Sequence, residues 1–157
     1  MIEVLRFLEE GEDNEVGVMD ADTLNFLVYR EGHYATDAMY FHRGMHPEVT
    51  WMMRAILFDW MMEVASEFAL KRETYFYATN FVDRFLSVRA NVQKAELQLV
   101  GVTALFLAAK MEEVFCPKVG DFAKSTDNEY TSEQIVKIKT EIAKNLQFQL
   151  TPPTLYT

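Results

Sequence analysis

Residues 99–109 read LVGVTALFLAA, a stretch in which every side chain is apolar or small. A helix that is hydrophobic all round must be surrounded by other helices, because no side of it can face water. Gly101, Ala104, Ala108 and Ala109 would let those neighbours approach the helix axis closely. We therefore expect a central helix over about 92–113, buried by the elements around it.

The segments on either side of this stretch have the period of amphipathic helices. In residues 49–68 and 72–88, apolar side chains recur at spacings of three and four, so each segment has one apolar side. A short helix is predicted over 21–31, and one or two helical turns over 119–123. No strand-like alternation occurs in the sequence. These patterns predict an all-α fold of about five helices packed around one central apolar helix.

The last predicted helix has a clear beginning. Thr131 and Gln134 have the spacing of a capping box, in which each side chain satisfies a backbone N–H of the first turn. The apolar stripe of this helix consists of Ile135, Ile138, Ile142 and Leu146. We expect the sequence TPP at 151–153 to end it, because proline cannot continue a helix.

Length, charge and cysteine content restrict the possible function classes. The 157 residues fit one domain, or one domain with an extension, and 15 basic against 24 acidic residues give a net charge of −9. That charge disfavours a general role on nucleic acid or on a membrane surface. The most apolar run, 97–109, is too short to span a bilayer, and Cys116 alone permits no intramolecular disulfide. We expect a soluble intracellular protein.

Five short motifs follow one another over about a hundred residues. They are MRAIL at 53–57, DW at 59–60 with EV at 63–64, DRFL at 83–86, LQLVG at 97–101 and AAKMEE at 108–113. In order and spacing they resemble the cyclin box of the A and E groups of cell-cycle cyclins. The spacing of Asn91-Val92 and Lys94 before the LQLVG motif is slightly closer to that of cyclin E.

The resemblance implies a domain organisation and a function. It implies a five-helix cyclin box at 49–150, preceded by an extension with a short helix at 1–48. Residues 151–157 would begin a linker to a second box, which is absent from this sequence. The protein would be a regulatory subunit, not an enzyme, that binds and activates a cyclin-dependent protein kinase in the nucleus or the cytoplasm. Its other partners would be substrates or inhibitors with R-x-L-type motifs, and neither metal, cofactor, nucleic acid nor membrane is expected.

For substrate docking, the resemblance implies a patch with an apolar floor and a few polar groups that fix orientation. Its residues would be Met53, Ile56, Leu57, Trp60, Glu63, Lys94, Leu97 and Gln98. Glu63 would attract the basic residue of the motif, and Gln98 would supply side-chain hydrogen bonds. The same residues are also consistent with ordinary core packing, since this side of the helix must pack the domain. The resemblance further implies that Arg54 and Asp83 form a structural ion pair.

For kinase binding, the resemblance implies a lysine at the end of the central helix and a glutamate on the last helix. Lys110 matches the lysine, but Lys139 stands at the glutamate position, where it cannot accept hydrogen bonds and would repel Lys110 if close. Glu141 points about 200° round the helix from it. The other contacting residues would be Met111, Ala143, Phe148, Leu150, Phe106 and Leu107.

Three alternatives stay open. His42 and His46, spaced by four with Glu48 nearby, suggest a metal-dependent enzyme, although the intervening glycine and the following proline oppose a regular helix there. A DNA-binding protein with the same fold would need a basic face, which the negative charge disfavours. A cyclin-like scaffold that binds partners without activating a kinase is compatible with a lysine at position 139.

Overall fold

A computed structural model describes residues 21–36 and 39–153 of the chain. Within these ranges the chain forms six α-helices and one 3₁₀ turn, and no strand. In chain order they are α1 (Ala21–His33), α2 (Trp51–Glu67), α3 (Arg72–Val88), the 3₁₀ turn (Lys94–Glu96), α4 (Leu97–Glu112), α5 (Val119–Lys124) and α6 (Ser132–Asn145). The predicted all-α fold is confirmed. Residues 1–20 of the predicted extension and 154–157 of the predicted linker lie outside the described residues.

Helix α4 is the centre of the fold, as its composition predicts. Every residue from Leu99 to Ala109 is buried, and α4 packs against α2, α3, α5 and α6. The largest side chains that neighbouring helices bury completely include Phe81, Phe85, Phe122, Ile135 and Ile142. Full burial of such a side chain contributes roughly 1.5–3 kcal/mol. The exposed parts of α4 are therefore confined to its two ends. No helix in the described ranges is both long and apolar enough to cross a membrane.

The first turns of helices α2 and α3 are capped differently, one by its own N-cap residue and the other by a residue distant in the sequence. The side chain of Thr50 accepts a hydrogen bond from the N–H of Met53 at 3.3 Å, which is the usual N-cap arrangement. Helix α3 has no side-chain cap at its own N-cap residue. Instead, the carboxylate of Glu113 accepts hydrogen bonds from the N–H of Lys71 at 2.7 Å and the hydroxyl of Thr74 at 2.6 Å. Glu113 thereby ties the end of α4 to the beginning of α3.

Helix α6 begins as predicted and ends earlier than predicted. The N–H of Thr131 donates to Gln134 Oε1 at 2.8 Å, and the N–H of Gln134 donates to Thr131 Oγ1 at 3.2 Å, which confirms the capping box. The helix ends at Asn145, so the prediction that the proline motif ends it is wrong. Gln147 and Phe148 have φ values of 53° and 56°, and this left-handed conformation turns the chain out of the helix.

Helix α1 lies on the outside of the domain and has no fully buried residue. It is held near its C-terminal end by two long-range hydrogen bonds. Arg30 Nη2 donates to the carbonyl of Thr151 at 2.6 Å, and Asn80 Nδ2 donates to the carbonyl of Tyr34 at 3.3 Å. These bonds connect α1 and the residue just after it to α3 and to the segment that follows α6.

Candidate functional site

A groove of about 580 Å³ lies between α2 and the start of α4. Nine residues line it: Thr50, Met52, Met53, Ile56, Leu57, Trp60, Lys94, Leu97 and Gln98. Seven of the eight residues predicted for a docking patch are among them, and Glu63 is not. The members on α2 converge because they are spaced three and four residues apart and so share one side of the helix. Thr50 and Met52 were not predicted for the patch, because they lie just before the MRAIL motif.

The groove has a buried floor and an exposed wall. Leu57 and Leu97 are 5% and 6% exposed, whereas Ile56 and Met52 are 61% and 69% exposed. A partner that covers exposed apolar surface gains about 0.8 kcal/mol for each CH₂ group removed from water. One part of the predicted patch is therefore domain core, and the other part is available for binding.

The floor of the groove depends on a glycine in α4. A Cβ atom at Gly101 would lie 2.7 Å from Leu57 Cδ1 and 3.2 Å from Met61 Sδ. The first distance is well inside van der Waals contact between carbon atoms. The missing side chain at Gly101 therefore lets α2 lie directly against α4, with Leu57 filling the space between them.

Polar and charged side chains lie in or near the groove. Glu63 is exposed and lies seven residues beyond Ile56, on nearly the same line along α2. Lys94 lines the groove, and its N–H donates to the carboxylate of Glu48 at 3.3 Å. Gln98 is half-buried and offers its side-chain amide beside the floor. The groove is therefore mainly apolar, with a few polar groups at its edge.

Arg54 of α2 and Asp83 of α3 form a bidentate ion pair. Arg54 Nε lies 2.6 Å from Asp83 Oδ1, and Arg54 Nη2 lies 2.6 Å from Asp83 Oδ2. The hydroxyl of Tyr40 donates to the same carboxylate at 3.0 Å, and the guanidinium stacks 4.1 Å from the Phe58 ring centroid. Hydrogen bonding to Asp83 raises the pKa of Arg54, and burial raises the pKa of Tyr40 far above its ordinary value. These contacts join α2 to α3 and do not belong to the groove lining.

The C-terminal end of α4 is a second exposed region. Lys110 is exposed, and Met111 is 38% exposed. Directly after the helix, Val114 and Phe115 are 82% and 92% exposed, the highest values for large apolar residues in the described part of the chain. Exposed apolar side chains that lie together mark interaction sites. Val114 and Phe115 were not predicted to contact a partner. The only indication in the sequence was that two apolar residues follow directly after the end of the predicted central helix.

Several residues predicted to contact a kinase are less accessible than the prediction requires. Phe106, Leu107 and Ala143 are 3%, 7% and 8% exposed, because α4 and α6 pack against each other there. They support the surface from beneath and present little area to a partner. Phe148 is 70% exposed, and Leu150 is half-buried.

Lys110 and Lys139 converge on one aromatic ring. The Nζ atom of Lys110 lies 5.2 Å from the centroid of the Phe106 ring, and that of Lys139 lies 6.0 Å from it. Two like charges therefore share one small region of surface. Glu141 does not neutralise them, because its carboxylate lies 3.1 Å from Arg89 Nε in a separate ion pair.

The histidines considered for a metal site have a structural role instead. His46 is buried, and its Nδ1 accepts from the N–H of Val92 at 3.1 Å, so its Nε2 donates to the carbonyl of Leu86 at 2.7 Å. Both ring nitrogens are therefore engaged. His42 is exposed, and the described residues contain no group of three His, Cys, Asp or Glu side chains that could hold a metal ion. The geometry does not support the metal-dependent enzyme.

The sequence model of the family described as "Cyclin, N-terminal domain" matches residues 22–151. The chain belongs to the cyclin family. The match begins in α1 and ends after α6, so it includes both the groove and the end of α4. The relatives of this chain also have cyclin names.

Curated relatives of this cyclin come from plants and animals. Cyclin-B1-2 of Arabidopsis thaliana is 42% identical over 149 residues, which are 94% of this chain and 33% of the relative. G1/S-specific cyclin-E1 of Gallus gallus is 40% identical over 134 residues, which are 85% of this chain and 32% of the relative. The chain thus spans about a third of the length of these relatives. The cyclin B and cyclin E relatives match almost equally well, and the slight preference for cyclin E over cyclin A stays a prediction.

A solved structure of a viral cyclin from herpesvirus saimiri has the same fold. It superposes with a TM-score of 0.71 at 22% sequence identity, over 82% of this chain and 55% of the viral chain. At that identity the likeness supports the fold of this cyclin and says nothing further about its partners.

Proposed function

We propose that this cyclin binds and activates a cyclin-dependent protein kinase in cell-cycle control, through the surface at the end of α4. We call this surface the Lys110 face and define it by Lys110, Met111, Val114, Phe115 and Lys139. The observation that carries the proposal is the group of exposed apolar side chains beside Lys110, in a chain whose family consists of regulatory subunits. Location in the nucleus or the cytoplasm is part of the same proposal.

The proposed mechanism is a shift of population in the kinase. A kinase with a mobile regulatory helix exchanges between arrangements, and a partner that binds the active one more tightly increases its share. In the active arrangement the lysine–glutamate pair and the metal-binding aspartate of the kinase are both in place. A shift from 1% to 99% active requires roughly 5.5 kcal/mol of differential binding. Burying Phe115 and Val114, which are 92% and 82% exposed, at roughly 1.5–3 kcal/mol each makes this magnitude attainable. The cyclin itself supplies no chemistry.

The Lys110 face is suited to this task because it is held in place before binding. Glu113, which precedes the exposed Val114 and Phe115, bonds to the first turn of α3. The Nζ atom of Lys71 also donates to the carbonyl of Glu112 at 3.1 Å. A surface that is ordered in the free protein loses less conformational entropy on binding.

We further propose that the groove recruits substrates or inhibitors with R-x-L-type motifs. The leucine of the motif would cover Ile56 above the floor formed by Leu57 and Leu97, and its arginine would lie near Glu63. Glu63 lies thirteen positions after Thr50, which corresponds to a rise of about 20 Å along α2. An extended peptide covers that distance with about six residues, so a short linear motif fits the groove.

The kinase proposal is tested by mixing the purified chain with cyclin-dependent kinases and measuring phosphorylation of a histone-type substrate. We expect stimulation by the native chain and its loss with Lys110→Ala. Lys137→Ala, which removes an exposed lysine of α6 outside the Lys110 face, is the matched control and should keep full stimulation. Equal stimulation by native and Lys110→Ala chains would contradict the assignment of the face.

The docking proposal needs a pair of substrates that differ only in the motif. Ile56→Asp should raise KM for the substrate with an R-x-L motif and leave the motif-free substrate unaffected. A change of KM for both substrates alike would count against a docking role for the groove.

A scaffold that binds kinases without activating them is the second candidate. The observation that favours it is Lys139 beside Lys110, because two like charges weaken an interface that does not neutralise them. Binding of a kinase to the native chain with no change in its rate would support the scaffold and exclude the activator.

A further inference from the structure

Lys110 and Lys139, which we call the lysine pair, come from different helices and both place their ammonium groups within about 6 Å of the centroid of the buried Phe106 ring. The ring is only 3% exposed, so both ammonium groups lie against a protein surface of low dielectric. Each ammonium group is attracted to the ring face. The ring carries no net charge, however, so it neutralises neither lysine.

Nearby carboxylates are occupied elsewhere. Glu112 lies 3.6 Å from Lys71 Nζ, Glu113 accepts hydrogen bonds at the start of α3, and Glu141 pairs with Arg89. Among residues 21–36 and 39–153, no acidic side chain forms an ion pair with either member of the lysine pair. In a chain with a net charge of −9, this face is therefore a local exception.

The surroundings of the lysine pair are those of an interface. Met111 follows Lys110 and is 38% exposed, and Val136 lies one turn before Lys139 on α6 and is 41% exposed. A partner that covers these apolar side chains must also remove water from the lysines. Removing water from two like charges is unfavourable unless the partner supplies an opposite charge.

We infer that the partner of the Lys110 face presents a carboxylate side chain to the lysine pair. The inference rests on the proposed kinase binding and adds a requirement to it: the contacting helix of the kinase carries an aspartate or a glutamate opposite Lys139. A kinase with a lysine or an arginine at that place is repelled, so the lysine pair selects among kinases. Lys139 is in this view a specificity-determining residue.

The test measures affinity between the purified chain and a panel of purified cyclin-dependent kinases at low and high salt. For the kinase that binds most tightly, Lys139→Gln should weaken binding about tenfold or more, and Lys139→Glu should weaken it further. The salt dependence should become shallower in Lys139→Gln, because one screened attraction is gone. Lys137→Gln, on the same helix, should remain within about twofold of the native chain. Circular dichroism and thermal melting establish that every variant is folded.

A charge exchange completes the test. Replacing the facing carboxylate of the kinase by lysine should abolish binding to the native chain and restore it to Lys139→Glu. Native-like or tighter binding by Lys139→Gln and Lys139→Glu would overturn the inference and leave the proposed kinase binding intact. Failure of the native chain to bind any kinase would overturn the proposed function, and the inference with it.

Discussion

Removal of the Asp83 carboxylate should destabilise the fold strongly. In Asp83→Ala, Arg54 loses two charge-assisted hydrogen bonds of 2.6 Å, and the Tyr40 hydroxyl loses its acceptor. Breaking a fully buried ion pair costs about 3–5 kcal/mol. Here the two side chains are 25% and 16% exposed, so the freed guanidinium regains part of its hydration. We therefore expect a loss of about 2–4 kcal/mol in the free energy of unfolding.

Urea denaturation of a double-mutant cycle isolates the interaction from the loss of packing. The cycle combines Asp83→Ala with Arg54→Met, which keeps an apolar side chain on the Phe58 ring. We expect a coupling energy of about 1–3 kcal/mol and a fall in Tm of roughly 4–16 °C for Asp83→Ala. Tyr40→Phe removes only the third hydrogen bond and should cost about 0.5–1.5 kcal/mol. A coupling energy below about 0.5 kcal/mol would contradict this prediction, because the pair would then contribute no more than two independent side chains.

Three further predictions concern stability and are measured by the same denaturation assay. Gly101→Ala should destabilise the domain by about 1–3 kcal/mol, because the new methyl group overlaps Leu57. His46→Ala should cost about 2–4 kcal/mol, since it leaves a buried N–H and a buried carbonyl without partners. Glu113→Ala should cost about 1–2 kcal/mol, because it removes the cap of α3 that includes the Thr74 hydroxyl.

Matched controls exist for two of these changes. Gly120→Ala introduces the same methyl group in α5, where no atom lies within 4 Å of the new Cβ, and it should be neutral or slightly stabilising. His42→Ala changes an exposed histidine and should leave stability within about 0.5 kcal/mol of the native value. If Gly101→Ala were as stable as Gly120→Ala, the close approach of α2 to α4 would not limit side-chain size.

The central helix could be predicted because it depends on local spacing, whereas the residues of the groove were implied by the resemblance to cyclin boxes. The apolar run around Gly101 requires neighbouring helices on every side. The period of α2 assigns both Ile56 and Leu57 to the apolar side of that helix. The helical period does not indicate how deeply each side chain is buried. Leu57 is core and Ile56 is surface because α4 lies against one side of α2 and not the other. Only the folded structure distinguishes the buried residue from the exposed one.

The features that sequence analysis missed depend on contacts between distant residues. Helix α6 ends at Asn145 although neither Gln147 nor Phe148 is typical of a left-handed position. The departing chain is held by Arg84, which donates to the carbonyl of Gln149 at 2.7 Å from 65 residues away. The role of His46 likewise rests on Leu86 and Val92, about 40 and 46 residues further along the chain. No local pattern encodes such pairings.

Helix α4 begins beside the groove and ends at the Lys110 face. Lys110 lies thirteen positions after Leu97, which corresponds to a rise of about 20 Å along the helix. Because the helix is enclosed along its length, this spacing cannot change unless the core comes apart. Under the proposed function, a substrate held in the groove is tethered at a constant offset from the kinase. The length of flexible chain between its motif and its phosphorylation site then determines the local concentration of that site. The length of the buried helix would then help to determine which sites of a bound substrate the kinase can phosphorylate.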